Sequence, residues 1–212
     1  MFGSRFVVAC WGAVMLLSAA FALASDSEED IKARRGSGDP VAGKEKITIC
    51  KVCHGEDGNG TQPHYPKLSG QYADYLLKQI YAFKDGSRKD PMMSVMVQSA
   101  GNDRDLLDIA AYYASQNKMA GAKSVSNRAG ETRFKSPQDG CTACHGVNGK
   151  GFAPDQSHAP VIGGQNKPYL IKQLKSFRSG TRTNDPGGIM ETVAASLTDE
   201  DIENLTSYIS GL

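Results

Sequence analysis

Two stretches carry the residues able to do chemistry: "CKVCHGEDGNG" from Cys50 and "CTACHGVNGKG" from Cys141. In each, two cysteines stand two residues apart and a histidine follows at once. Two thiols at that spacing can form thioethers to both vinyl groups of one porphyrin while the next side chain comes under the iron, so the pattern reads as covalent attachment of a c-type haem. Cys50, Cys53, Cys141 and Cys144 are then the attachment points, and His54 and His145 the proximal iron ligands. A zinc site uses the same residue types, and a bare Cys-x-x-Cys can cycle as a dithiol. Neither explains a histidine in the same place twice. The sixth ligand decides whether such an iron carries electrons or performs reactions. Met190 is the candidate after the second motif; Met92, Met93, Met96 and Met119 are candidates after the first.

The elements that must hold these residues recur with them. Gln71, Tyr75, Gln79, Phe83 and Arg88 return as Gln165, Tyr169, Gln173, Phe177 and Arg182 at one constant offset. Two copies are too few for a solenoid, and each is long enough for a small domain built around a cofactor. Within a copy the apolar spacing is helical: Leu76, Ile80 and Phe83, matched by Leu170, Leu174 and Phe177, with Gly86 and Gly180 as stops and Pro168 at a start. A last helix carries Leu106, Ile109, Ala110 and Tyr113 in one copy. In the other it carries Ile202, Leu205 and Ile209, opened by Thr198 and Asp201 in a capping-box pattern. Strand signals are nearly absent, and the stretches between are rich in Gly, Pro, Asn and Ser, as loops that wrap a cofactor are. The expectation is an all-α chain of two tandem domains, 39–118 and 129–212, joined by a linker at 119–128 and preceded by a flexible tail at 25–38.

Residues 1–24 read as an export leader. Arg5 is its basic region, Phe6 to Ala22 its mostly apolar run, and Ala22-Leu23-Ala24 a small-x-small cleavage pattern that leaves Ser25 first. A membrane-spanning anchor needs roughly 20 apolar residues, more than this run supplies. Cleavage removes Cys10, so every remaining cysteine lies in a motif. From Ser25 onward Lys and Arg number 23, as do Asp and Glu; residues 39–118 hold ten of each sign, and 119–212 hold ten basic and nine acidic. Such evenness argues against nucleic acid as a partner and against strong long-range steering.

Both motifs, together with "PKLSGQ", "YLLKQ", "DIAAYYASQ", "RTND" and "TSYI", resemble the di-haem cytochrome c4 family, periplasmic electron carriers made of two class I cytochrome c domains. The resemblance covers nearly the whole chain after the leader. It implies two covalently bound haem c groups, with Met93, the first of the pair Met93-Ser94-Val95-Met96, as first-domain axial ligand and Met96 as packing. Met190 is implied as second-domain ligand. The stretch Ala100-Gly101-Asn102, one residue longer than the family pattern, shifts the following helix relative to Met93. The resemblance further implies that the carbonyls of Pro66 and Pro160 accept the Nδ1 protons of the two histidines. It implies that Gly43 and Gly130 let a first helix cross closely against Tyr112 and Tyr208, and that the domains face each other about a pseudo-twofold axis. Arg88 and Arg182 suit haem propionates or a solvated loop. His64 and His158, each two residues before the repeated proline, read as loop residues near the cofactor.

The implied role is a periplasmic carrier, not an enzyme, that passes electrons singly from a quinol:cytochrome c reductase or similar donor to a haem-copper oxidase or other acceptor. Peripheral membrane association is compatible with the tail. The alternatives are the cytochrome subunit of a flavocytochrome c sulfide dehydrogenase, and a di-haem peroxidase, which must keep one iron open to peroxide.

Overall fold

The computed structural model describes residues 38–121, 127–137, 140–152 and 159–212; the leader, nearly all of the tail, residues 122–126 of the linker and His158 lie outside them. Among the described residues the regular elements are all helical. In the first half they are α1 (Pro40–Lys46), α2 (Lys51–His54), α3 (Ala73–Asp85), α4 (Pro91–Gln98) and α5 (Asp103–Ser115). The second half repeats them as α6 (Arg128–Phe134), α7 (Cys141–His145), α8 (Lys167–Arg178), α9 (Ile189–Ala195), entered through a short 3-10 turn at Pro186–Gly188, and α10 (Asp199–Gly211).

The long helices start and stop where the sequence marks them. Asn102 and Asp105 close a full capping box on α5, and Thr198 and Asp201 close one on α10. Gly86 ends α3 at φ 82°, a left-handed conformation that glycine adopts without steric cost. Each half has its own core. Ile47, Leu76, Leu77, Tyr81, Leu106, Ile109, Tyr112 and Tyr113 pack in the first; Phe134, Leu170, Leu197, Ile202, Leu205 and Ile209 pack in the second.

The crossing of α1 on α5 and of α6 on α10 is made by glycine. A Cβ on Gly43 would lie 2.0 Å from the Asp108 carbonyl oxygen, and one on Gly130 would lie 2.1 Å from that of Asn204. Tyr112 and Tyr208 flank these crossings, their Cβ atoms 2.8 and 2.9 Å from the same points.

The two crossings differ in how their chain starts are tied down. In the first domain the buried Asp108 carboxylate accepts from the Asp39 amide at 2.8 Å and from Lys46 Nζ at 2.6 Å, with Arg104 Nε at 3.2 Å. In the second, Asn127 Nδ2 donates to Asn204 Oδ1 at 3.1 Å, an uncharged pair, and the charged contact is the more exposed Arg133 Nε with Asp201 at 3.7 Å. Burial pushes the Asp108 carboxyl pKa up, but the Asp39 amide, Lys46 and Arg104 outweigh it and hold the group below the usual carboxylate range. A depressed folded-state pKa means stability that is full above the ordinary carboxylate value near 3.9 and is lost as pH falls through the folded one. The α1–α5 contact of the first domain should therefore loosen as pH is lowered from about 4. Domain-resolved amide NMR signals through an acid titration check this, and Asp108→Asn should weaken the pH dependence of the α1–α5 contact, leaving the part carried by Asp105, which pairs with Lys46 at 2.8 Å.

Candidate metal centres

Each Cys-x-x-Cys-His stretch forms a single helical turn, closed by Gly55 at φ 80° and Gly146 at φ 75°. The loop after each motif folds back onto it. Gly60 N donates to His54 O at 2.7 Å and Gly151 N to His145 O at 2.8 Å. No disulfide joins the two cysteines of either motif; burial pushes the Cys50 thiol up to about 11.

His54 and His145 are buried, 6% and 7% exposed. Their Nδ1 atoms stand 2.9 Å from Pro66 O and 2.8 Å from Pro160 O. A carbonyl can only accept, so Nδ1 carries the proton and Nε2 keeps its lone pair for a metal. Burial lowers the pKa of both rings, against the opposing pull of the proline carbonyls. The contact implied for Pro66 and Pro160 is thus present in both domains.

The methionines sort themselves by position. Met119 is fully buried between the domains, with Gln165 Nε2 3.6 Å from its sulfur, and belongs to the packing. Met93 and Met96 are half-buried on α4, and Met92 is 53% exposed. Asp90 caps this helix and accepts from Met93 N at 3.2 Å. In the second domain Asp185 Oδ2 accepts from Met190 N at 2.6 Å, and its Oδ1 is buried without a protein hydrogen-bond partner among the described residues. Each candidate distal methionine therefore has its own amide held by an aspartate just upstream. His64 is solvent-exposed.

The recurring residues meet at a seam between the domains, in reciprocal pairs. Gln71 bonds both the amide and the carbonyl of Val161, at 2.9 and 2.8 Å. Gln165 does the same to Lys67, at 2.8 and 2.9 Å. Arg88 donates to Gln79 at 2.7 Å in its own domain, and to Tyr169 OH at 3.0 Å and Gln173 at 2.9 Å in the other. Arg182 mirrors it, donating to Gln173 at 2.7 Å, Tyr75 OH at 3.2 Å and Gln79 at 3.1 Å. The implied pseudo-twofold is written in these bonds. Both arginines are 7% exposed, which removes the reading of solvated loop arginines.

This seam suits haem. Two buried guanidinium groups have only neutral oxygen acceptors among the described residues, and a buried cation without a counter-charge is costly. Burial pushes the Tyr75 phenol up, yet Arg182 and Arg88 bring it below its usual value, a sign of how positive the seam is. Arg88 uses three of its five N–H donors on these partners. The donor set calls for anions, and haem propionates are anions of that kind. The cross-domain partners were signalled in sequence by their constant offset; their reciprocal pairing was not.

Two domains, all-helical among the described residues, each with a Cys-x-x-Cys pair and a Nδ1-anchored histidine on one helical turn, make this a tandem pair of class I cytochrome c domains. The cytochrome c family profile matches residues 41–117 and again 128–212. Cytochrome c4 of Pseudomonas aeruginosa is 43% identical over 183 residues, spanning 83% of this chain and 90% of that protein. The crystal structure of reduced recombinant cytochrome c4 from Pseudomonas stutzeri matches with a TM-score of 0.76 at 43% identity, over 82% of this chain and 99% of that one. A more distant relative, the thiosulfate dehydrogenase electron acceptor of Stutzerimonas stutzeri, is 29% identical over 213 residues, 95% of this chain and 93% of that one. The chain belongs to the cytochrome c4 family. It is a di-haem electron-transfer cytochrome with two covalently bound haem c groups.

Proposed function

We propose that the protein is an exported, periplasmic shuttle that carries electrons singly between a quinol:cytochrome c reductase or similar donor and a haem-copper oxidase or other acceptor. Cys50 and Cys53 would hold the first haem, with His54 and Met93 as donors to its iron; Cys141, Cys144, His145 and Met190 would do the same for the second. Haem supplies the one-electron couple at each centre. The chain's own residues fix the imidazole tautomers through Pro66 and Pro160, set the methionine-bearing turns through Asp90 and Asp185, and neutralise propionates at Arg88 and Arg182. The observation that carries the reading is the pair of histidines whose Nδ1 is committed to a carbonyl, leaving Nε2 as metal donor. An imidazole and a thioether from each domain would fill both protein-facing positions of an iron and leave none for a substrate, which supports a carrier over an enzyme.

Mass spectrometry of the exported protein tests this. Two haem additions on a chain beginning near Ser25 are expected, and a single addition after proper export would overturn the two-centre reading. The relative named as an electron acceptor of thiosulfate dehydrogenase makes a thiosulfate-oxidising donor the second reading. Rapid reduction by thiosulfate with such an enzyme, and slow reduction by a quinol-oxidising complex, would favour it.

A further inference from the structure

The even charge of the two halves gave no reason to expect a concentrated field, but the fold gathers three lysines at one edge of the seam. Lys67 Nζ donates to the carbonyls of Ala120 and Gly164 at 2.9 and 2.8 Å. Lys150 Nζ donates to those of Met119, Gly163 and Leu212 at 2.5, 2.6 and 3.2 Å. Lys118 Nζ reaches Lys150 O at 2.7 Å and stands 5.5 Å over the Tyr72 ring. These bonds tie the connecting segment to both domains and fix three ammonium groups in place.

None of the three pairs with an Asp or Glu side chain among the described residues, although Lys150 lies 3.2 Å from an oxygen of the last residue, Leu212; the lysines along α8 (Lys167, Lys172 and Lys175) are all paired with carboxylates. Burial lowers the pKa of Lys67; burial lowers that of Lys150 too, and Lys67 and Lys118 lower it further. Around Lys67 and Lys118 fixed carbonyl dipoles solvate the cations but carry no net charge to cancel them, so the positive field extends outward. Beside them lie Tyr72, whose hydroxyl donates to Phe152 O at 3.0 Å, and Phe152, 37% exposed. Exposed aromatic rings are enriched in recognition surfaces.

The patch also adjoins both centres. Lys67 follows Pro66, the partner of His54; Lys150 lies in the loop that Gly151 closes onto His145. We propose that this edge, Lys67, Lys118 and Lys150 around Tyr72 and Phe152, is the docking surface for the acidic face of a redox protein, one landing site shared by both domains. The occupant follows from charge: an uncompensated cationic field attracts carboxylates, and a protein is the partner class large enough to cover an edge spanning two domains. The proposal rests on the electron-carrier reading above.

The test uses the two-haem protein. Hexacyanochromate(III), a paramagnetic anion, added to the ferrous form should broaden amide signals of residues 67–68, 117–118 and 150–152. That map does not depend on electron transfer. Stopped-flow oxidation by a cupredoxin with an acidic face should then show a rate that falls with salt. Lys118→Gln, an exposed position with one bond to lose, should lower the low-salt rate about twofold and flatten the salt slope by about a third, since one of three charges is gone. Lys118→Arg should keep both, and Lys44→Gln, an exposed lysine on α1, should change neither. Broadening centred elsewhere, or a Lys118→Gln salt slope equal to that of the parent, would overturn the docking surface. Failure to exchange electrons with any redox partner, with the anion still mapped to this edge, would sink the carrier reading instead.

Discussion

Gly43→Ala should cost the first domain about 3 kcal/mol or more and lower its melting temperature by roughly 10 °C or more. Ordinary overpacking is relieved by rotating a side chain. Here the new methyl group would meet backbone, 2.0 Å from the Asp108 carbonyl oxygen and 2.6 Å from its carbon, with the Tyr112 Cβ at 2.8 Å. Only separation of α1 from α5 makes room, and that separation pulls the Asp39 amide and Lys46 off Asp108. Ile47, at the end of α1, then leaves the core it shares with Leu106 and Tyr112. Gly130→Ala should do the same to α6 and α10, where Phe134 is the core residue lost. Thermal unfolding followed by far-ultraviolet dichroism and by the Soret band measures both. A loss below about 1 kcal/mol at Gly43 would show that the helices can cross without this contact.

Met190→His should lower the potential of the second centre and remove about half of the methionine–iron charge-transfer band, because one of two thioether ligands is replaced by imidazole. The substitution keeps the helix start, since the bond to Asp185 is made by the main-chain amide. Haem attachment at Cys141 and Cys144 is untouched. Potentiometric titration should resolve one centre near its parent value and one shifted down. An unchanged spectrum would mean that Met190 only packs. Met93→His is the matched experiment in the first domain, and Met96→Leu should leave both potentials where they are.

The attachment residues were legible because they depend on local spacing, which sequence preserves, whereas the proline contacts came only with the family resemblance. The glycine crossings were legible through the family resemblance. The helices after residue 90 and residue 188 were not foreseen. Proline, methionine and small residues in "PMMSVMVQ" give no clear apolar stripe, and the structure starts that helix through the Asp90 cap instead. The capping box of Asn102 and Asp105 carries a readable pattern that went unread. Arg88 and Arg182 recur plainly, yet recurrence alone does not say that a residue bonds the other copy. Nor can a count of charges say that Lys67, Lys118 and Lys150, far apart in the chain, come to one edge.

The reciprocal bonds of Gln71 with Val161 and of Gln165 with Lys67 have the form of an isologous dimer contact, in which a surface meets its own image. In two separate subunits such a contact would loosen on dilution. A covalent connection makes it intramolecular, with an effective concentration set by the tether and not by the amount of protein present. Met119, buried with its carbonyl on Lys150, further shortens the free part of that tether. The spacing of the two redox centres is thus independent of expression level, and an electron arriving at a scarce molecule finds the same paired environment as one arriving at an abundant one.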